Sequence, residues 1–169
     1  MSWSESRVAG AGRLALLLAA ATCVAACGFE LQGRQRLPEA MSVVYIATED
    51  THTEFVRELR RSLDAAGVRV ADQRSDAETV VRILRDDSEQ RVLSVSARNT
   101  PEEYEVFYVV AYAIEMNGHR VLEPQELRLE RNYAYDETAV LAKQREEQLL
   151  RESMARDLAS RVMRRLATL

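Results

Sequence analysis

The chain has 169 residues, 47% hydrophobic and 30% charged, with a formal net charge of −4. That is enough for one ordinary domain with a genuine core, and too acidic for a general nucleic-acid binder or a basic membrane-surface protein. An anionic ligand would have to be met by a local group of cations.

The first 26 residues have a basic start (Arg7, Arg13), an apolar run from Leu14 to Ala26, and small residues just ahead of Cys27. This is the tripartite pattern of a secretory signal peptide. The apolar run is about 13 residues, against the ~20 a membrane-spanning helix needs. Val24-Ala25-Ala26-Cys27 resembles the lipobox of bacterial lipoproteins, in which the cysteine is lipidated and becomes the first mature residue. An ordinary signal peptide with a cysteine nearby is the alternative. The expected division is therefore a removed signal at 1–26, a lipidated tether at 27–40 and a single folded domain at 41–169. Cys23 leaves with the signal, so no intrachain disulfide is available to the mature chain. The signal carries Arg7, Arg13 and Glu5, a net +1, which takes the remainder to −5. Its cations are nearly all arginine, with Lys143 the single lysine of the sequence. The two are not equivalent, because arginine presents a planar fork and lysine a compact point charge.

After a polar, turn-rich stretch from Gly28 to Pro38, Met41 to Ala47 reads as a short buried strand rich in β-branched residues. Thr51-His-Thr-Glu54 has capping-box spacing. A helix should follow, with Phe55, Leu59, Leu63 and Ala66 on its apolar face, arginines on the outer one, and Gly67 as its left-handed stop. Val68 to Val70 reads as a brief extended piece and Asp72 to Asp76 as a loop. Thr79 to Arg85 is an expected strand, Asp86 to Gln90 a bulge or bend, and Arg91 to Arg98 a weakly alternating continuation. Asn99-Thr-Pro-Glu102 marks a turn.

From Tyr104 to Met116 the alternation is long and both faces are apolar at the centre. That predicts an interior strand, covered on both sides or facing a partner on one. Asn117-Gly118 is a strong type I′ hairpin signal, so the strand from His119 to Tyr135 pairs antiparallel with it, Pro124 suggesting an edge or bulge. Asp136 can cap a last helix from about Thr138 to Leu166, with Leu141, Leu149, Met154, Leu158, Val162 and Leu166 as apolar positions. Arg161, Arg164 and Arg165 suit the negative end of its dipole. The expected fold is α+β, two helices on one face of a mixed sheet of about four strands, in the order β-α-β-β-β-α.

Catalytic constellations are not found. His52 and His119 have no metal-ligand or triad-like neighbours in sequence, and there is no glycine-rich phosphate loop, nucleophile elbow or CxxC pair. Glu102-Glu103 and Glu146-Glu147 read as solvated faces. Neither an enzyme nor a cofactor or metal is expected.

Cys27-Gly-Phe-Glu-Leu-Gln-Gly33, then Leu37-Pro38, a strand, a helix closing at Gly67, a hairpin of aromatic strands and a C-terminal helix together resemble the LptE family of lipopolysaccharide-assembly lipoproteins. Gln32 stands where that family commonly has arginine. The resemblance implies a lipidated domain, without catalysis or cofactor, that plugs the LptD outer-membrane β-barrel as a heterodimer and binds lipopolysaccharide. It also implies two lipopolysaccharide-binding cations, which fall here on Arg98 and Lys143. Gly28, in place of an aspartate after the lipidated cysteine, points to the periplasmic face of the outer membrane. The alternative function is a structural or pilot lipoprotein that stabilises an outer-membrane partner without touching lipid.

Overall fold

The computed structural model describes residues 37–38 and 41–169. The expected signal peptide, Cys27 and nearly all of the tether lie outside the described residues. The elements run β1 (Val43–Ala47), α1 (Glu54–Ala65), β2 (Arg69–Ala71), a short 3-10 turn (Arg74–Asp76), β3 (Thr79–Val95), β4 (Pro101–Met116), β5 (His119–Ala134) and α2 (Val140–Leu166). The sheet order is β2-β1-β3-β4-β5, with β1 parallel to both its neighbours and the β3-β4-β5 meander antiparallel. Among the described residues the α+β class with two helices holds, and the sheet has five strands. The additional one is β2, three residues long, where the sequence showed only an extended piece. It is too short to display alternation, and it exists because Val43 to Tyr45 offer it a parallel edge.

Both helices cover the same sheet face. Phe55, Leu59 and Leu63 of α1 and Met154, Leu158, Val162 and Leu166 of α2 form one buried cluster with Val44 and Ile46 of β1, Val81 and Ile83 of β3, and Val106, Tyr108, Val110, Tyr112 and Ile114 of β4. Burying such side chains contributes roughly 1.5–3 kcal/mol each against leaving them in water. The long alternation of β4 thus supplies the central wall of the core.

The start of α1 differs from the expected capping box. Thr53, not Thr51, is the N-cap, its hydroxyl accepting from the Val56 amide at 3.1 Å. Glu54 is then the first helical residue and cannot reach back as the box requires. At the other end Gly67 adopts φ 83°, and the Val68 amide donates to the Leu63 carbonyl at 3.0 Å, closing the helix as anticipated. Asn117 and Gly118 have φ 51° and 79°, the paired positive values of a type I′ hairpin.

Asp86 to Gln90 is no break. It lies within the 17-residue β3, whose register shifts where Leu84 is skipped between Ile83 and Arg85. Polar side chains are tolerated here because alternate ones reach the helix layer and the others pair across the open face. Asp136 accepts from the Thr138 amide at 2.8 Å, holding the turn ahead of α2, while the N-cap itself is Ala139, which offers no side-chain bond. Leu141 and Leu149 are 81% and 49% exposed, so the apolar face expected over the whole of α2 begins in its second half.

Candidate functional site

Arg98 and Lys143 lie at the same end of the sheet. Arg98 sits in the hairpin turn between β3 and β4, where Asn99 takes φ 62°, the Ser96 amide donates to the Thr100 carbonyl at 2.8 Å and the Arg98 amide donates to Ser96 Oγ at 3.2 Å. The chain returns to this end when β5 finishes: Ala134 pairs with Glu103, and the Tyr135 amide donates to the Glu102 carbonyl at 2.7 Å. The first turn of α2 follows, and Lys143 is in it.

The two cations differ in their environments. The exposed Arg98 guanidinium makes no hydrogen bond or ion pair among the described residues, leaving its fork available to an incoming anion. Lys143 is half-buried and its ammonium is held 2.8 Å from Glu146, one turn along the helix. Near a helix N-terminus a cation works against the dipole, and Glu146 offsets that charge. An anionic ligand at Lys143 must therefore compete with this carboxylate.

The strands that lead to this end carry an aromatic and polar layer that the sequence did not reveal. Tyr104 stacks on Tyr133 with centroids 5.7 Å apart and meets Tyr135 edge-on at 5.2 Å. The Tyr133 hydroxyl lies 3.1 Å from the Gln90 amide group, which, with its nitrogen turned toward α2, donates to Glu147 Oε2 at 3.0 Å. Burial first, and then the nearby Glu147 carboxylate, pushes the Tyr133 hydroxyl up to about 12. Arg151 completes the bridge, pairing with Glu147 at 2.7 Å and donating to Ser88 Oγ at 2.5 Å. The first half of α2 is thus held over β3 and β5 largely by polar contacts, which explains why Leu149 can face solvent.

The sheet face away from the helices is a lattice of charge. Arg82 and Arg74 both grip Glu115, at 3.0 and 3.2 Å, Arg85 pairs with Asp87 at 2.7 Å, and Arg128 with Glu130 at 2.7 Å. Arg91 approaches Glu105 to 2.6 Å, a close charge contact without hydrogen-bond alignment. The Arg128 guanidinium lies 4.9 Å over the Phe107 ring. The apolar strip expected on this side of β4 is present, and Val109 and Ala113 are 1% and 0% exposed. Among the described residues it is side chains of the flanking rows, not a second layer of helices, that cover it, because long arginine stems bury apolar surface while their heads stay wet. Among the described residues no cluster of His, Cys, Asp and Glu could hold a metal ion, and no helix is long and apolar enough to cross a membrane.

Residues 41–166 match the family model described as LptE, Lipopolysaccharide-assembly. The LPS-assembly lipoproteins LptE of Yersinia pestis (strain Pestoides F) and Yersinia pseudotuberculosis serotype O:1b (strain IP 31758) are each 27% identical over 158 residues, covering 92% of this chain and 75% of theirs. Among solved structures, the rare lipoprotein B from Shewanella oneidensis is similar with a TM-score of 0.64 and 28% identity, covering 75% of this chain and 94% of that one. An uncharacterised lipoprotein B from Nitrosomonas europaea gives 0.69 and 26%, covering 83% and 90%. The family match runs from the residues just before β1 to the last residue of α2, taking in every strand and both helices of the described residues, and the chain belongs to the LptE family.

Proposed function

We propose that this chain is a non-enzymatic outer-membrane lipoprotein of lipopolysaccharide assembly, which plugs and supports an LptD-like β-barrel and binds lipopolysaccharide as it passes to the cell surface. The family match over residues 41–166 is the observation that carries the reading. Lipidation at Cys27 tethers the domain to the periplasmic face of the outer membrane, since two or more acyl chains anchor stably where one is marginal. Arg98 and Lys143 contact lipid phosphates. Support comes from their common end of the sheet and from the guanidinium of Arg98, unpaired among the described residues, because charge-assisted bonds to phosphate are among the stronger hydrogen bonds.

The lattice on the open sheet face suits a barrel interior, which is polar in outer-membrane barrels. Most of its charges already stand against an opposite charge, so enclosure would strand few single ions. A second reading, a structural lipoprotein that stabilises the barrel without binding lipid, is favoured by the Lys143–Glu146 pair, which gives Lys143 a partner of its own. Co-expression with an LptD-like barrel tests the first part: a stable co-purifying pair is expected, and failure to form one sinks the assignment of partner. Arg98→Glu with Lys143→Glu tests the second. Loss of lipopolysaccharide binding by a folded, barrel-bound double variant is expected, and unchanged binding favours the structural reading.

A further inference from the structure

Of the nine large exposed aliphatic side chains among the described residues, Leu84, Val121, Leu149 and Leu169 stand elsewhere, and five fall on two short segments, residues 92–95 and 140–141. Val92, Leu93 and Val95, at the end of β3, are 47%, 44% and 50% exposed, and Leu141, in the first turn of α2, is 81% exposed. They gather at the end of the sheet that carries Arg98 and Lys143. Arg98 lies three residues beyond Val95, and Lys143 two beyond Leu141. Aliphatic groups beside a cation thus occur twice at this end, on two elements far apart in sequence.

β1 pairs with β3 only as far as Arg82, so among the described residues the rest of β3 is a free edge, and an exposed apolar edge commonly recruits another strand. Here the ladder to β4 shifts register twice, between Val92 and Ser94 and again between Ser94 and Val95. Bulges of this kind bend and twist the strand, which disfavours a regular backbone partner just where the side chains are most apolar. What remains is a contact that needs no backbone register, and hydrocarbon meets that description.

We propose that this tip is the acyl-chain contact of the lipopolysaccharide site, with Val92, Leu93, Val95 and Leu141 lying against the hydrocarbon of an acylated, phosphorylated saccharide whose phosphates meet Arg98 and Lys143. The proposal rests on the lipopolysaccharide-binding reading above and adds the part of the ligand that the cations cannot recognise. Charge complementarity selects a phosphorylated amphiphile, because the aliphatic groups are flanked by a guanidinium without a partner among the described residues. The tip discriminates acylated from deacylated ligand, while the cations alone do not.

The test uses the full chain, with its anchor, in vesicles of phosphatidylethanolamine and phosphatidylglycerol, titrated with labelled lipopolysaccharide and with the same molecule chemically deacylated. All three residues of the variant V92N/L93N/V95N are surface positions, and circular dichroism checks that it folds. We expect it to bind intact lipopolysaccharide about tenfold more weakly, since partial burial of three aliphatic side chains is worth at least that, and to bind the deacylated form as the parent does. Arg98→Glu should weaken both. If the parent chain binds neither form, the lipopolysaccharide reading fails. If the parent binds and the triple variant binds intact lipopolysaccharide equally well, or loses both forms alike, the acyl-chain role is overturned. Competition by excess phosphatidylglycerol as effective as unlabelled lipopolysaccharide would make the tip a general bilayer contact and would overturn it too.

Discussion

The hydroxyl of Tyr108, at the centre of β4, accepts a hydrogen bond from the backbone amide of Phe55, in the first turn of α1, at 3.1 Å. The first amides of a helix have no partner within it. In α1 the Thr53 hydroxyl serves Val56, and a tyrosine from the facing sheet serves Phe55. Tyr108→Phe removes the acceptor and leaves a buried N–H unsatisfied, a change that costs about 1–3 kcal/mol. Tyr112→Phe is the control, since the Tyr112 hydroxyl makes no hydrogen bond among the described residues. Urea unfolding should show a lowered midpoint for the first variant and little change for the second. Equal midpoints would mean that the bond contributes nothing net.

Asp86 stands at the same junction, and its Oδ2 accepts the Thr53 hydroxyl at 2.5 Å. Its other carboxylate oxygen is buried without an aligned donor. Burial raises the Asp86 pKa above the ordinary carboxylate value, with the Thr53 bond and the nearby Tyr108 hydroxyl opposing, and nearby Glu54 and Asp87 add to the rise. The folded state therefore binds this proton more tightly than the unfolded chain. This contribution to stability is present below the ordinary pKa of 3.8 and is lost as pH rises through the raised folded value. Asp86→Asn keeps an acceptor for Thr53 and removes the titration. Stability of the variant relative to the parent should grow as pH rises from 3.8 toward neutrality and then level off, which equilibrium unfolding at a series of pH values measures. A flat difference would assign Asp86 no linkage to folding.

Glu115 receives Arg82 and Arg74 from two different segments, and its side chain is 12% exposed while theirs are 40% and 49%. Exposed pairs are worth little, yet a nearly buried carboxylate with two partners is costly to mismatch. Glu115→Lys places a third cation between two arginines on the side where Ala113 is fully buried. We expect a loss of roughly 3 kcal/mol, at the lower bound for breaking a buried pair, partly recovered in high salt. Thermal unfolding at low and high ionic strength reads this, and an unchanged Tm would show that the lattice is not structural.

How far the chain could be read from its residues differs from element to element. The β4-β5 hairpin was legible because Asn117-Gly118 names its turn and the aromatic alternation on β4 names its face. The continuation of β3 past Gln90 was legible, but Asp86, Ser88 and Gln90 read as a bulge or bend until Thr53, Arg151 and Glu147 are seen to meet them from the helix layer. Such partners lie many residues away, and periodicity carries no trace of them. β2 was missed for the related reason that a three-residue parallel strand is created by its neighbour's edge. Arg98 and Lys143 could be placed at a turn and a helix start from local signals alone. That they share one end of the sheet depends on where β5 finishes, and that Lys143 is tied to Glu146 depends on a rotamer.

The same distant contacts make the first half of α2 a separable unit. Its apolar face is thin here: Leu149 is half-exposed, and only from Met154 onward are residues of the helix fully buried. The bridge of Gln90, Tyr133, Glu147, Arg151 and Ser88 holds it down, and each of these bonds is worth only about 0.5–1.5 kcal/mol. Residues 154–166 pack on α1 and the sheet and should open only with the whole domain. Arg151→Ala breaks both the Glu147 pair and the Ser88 bond. Native-state hydrogen exchange in this variant should speed up for amides of residues 144–150 by about tenfold, the kinetic equivalent of one to two lost bonds, with residues 154–166 unaffected. Uniform acceleration along the helix would mean that α2 opens as one piece. Selective acceleration would show that the segment carrying Lys143 is held by a polar latch that can release without unfolding the core.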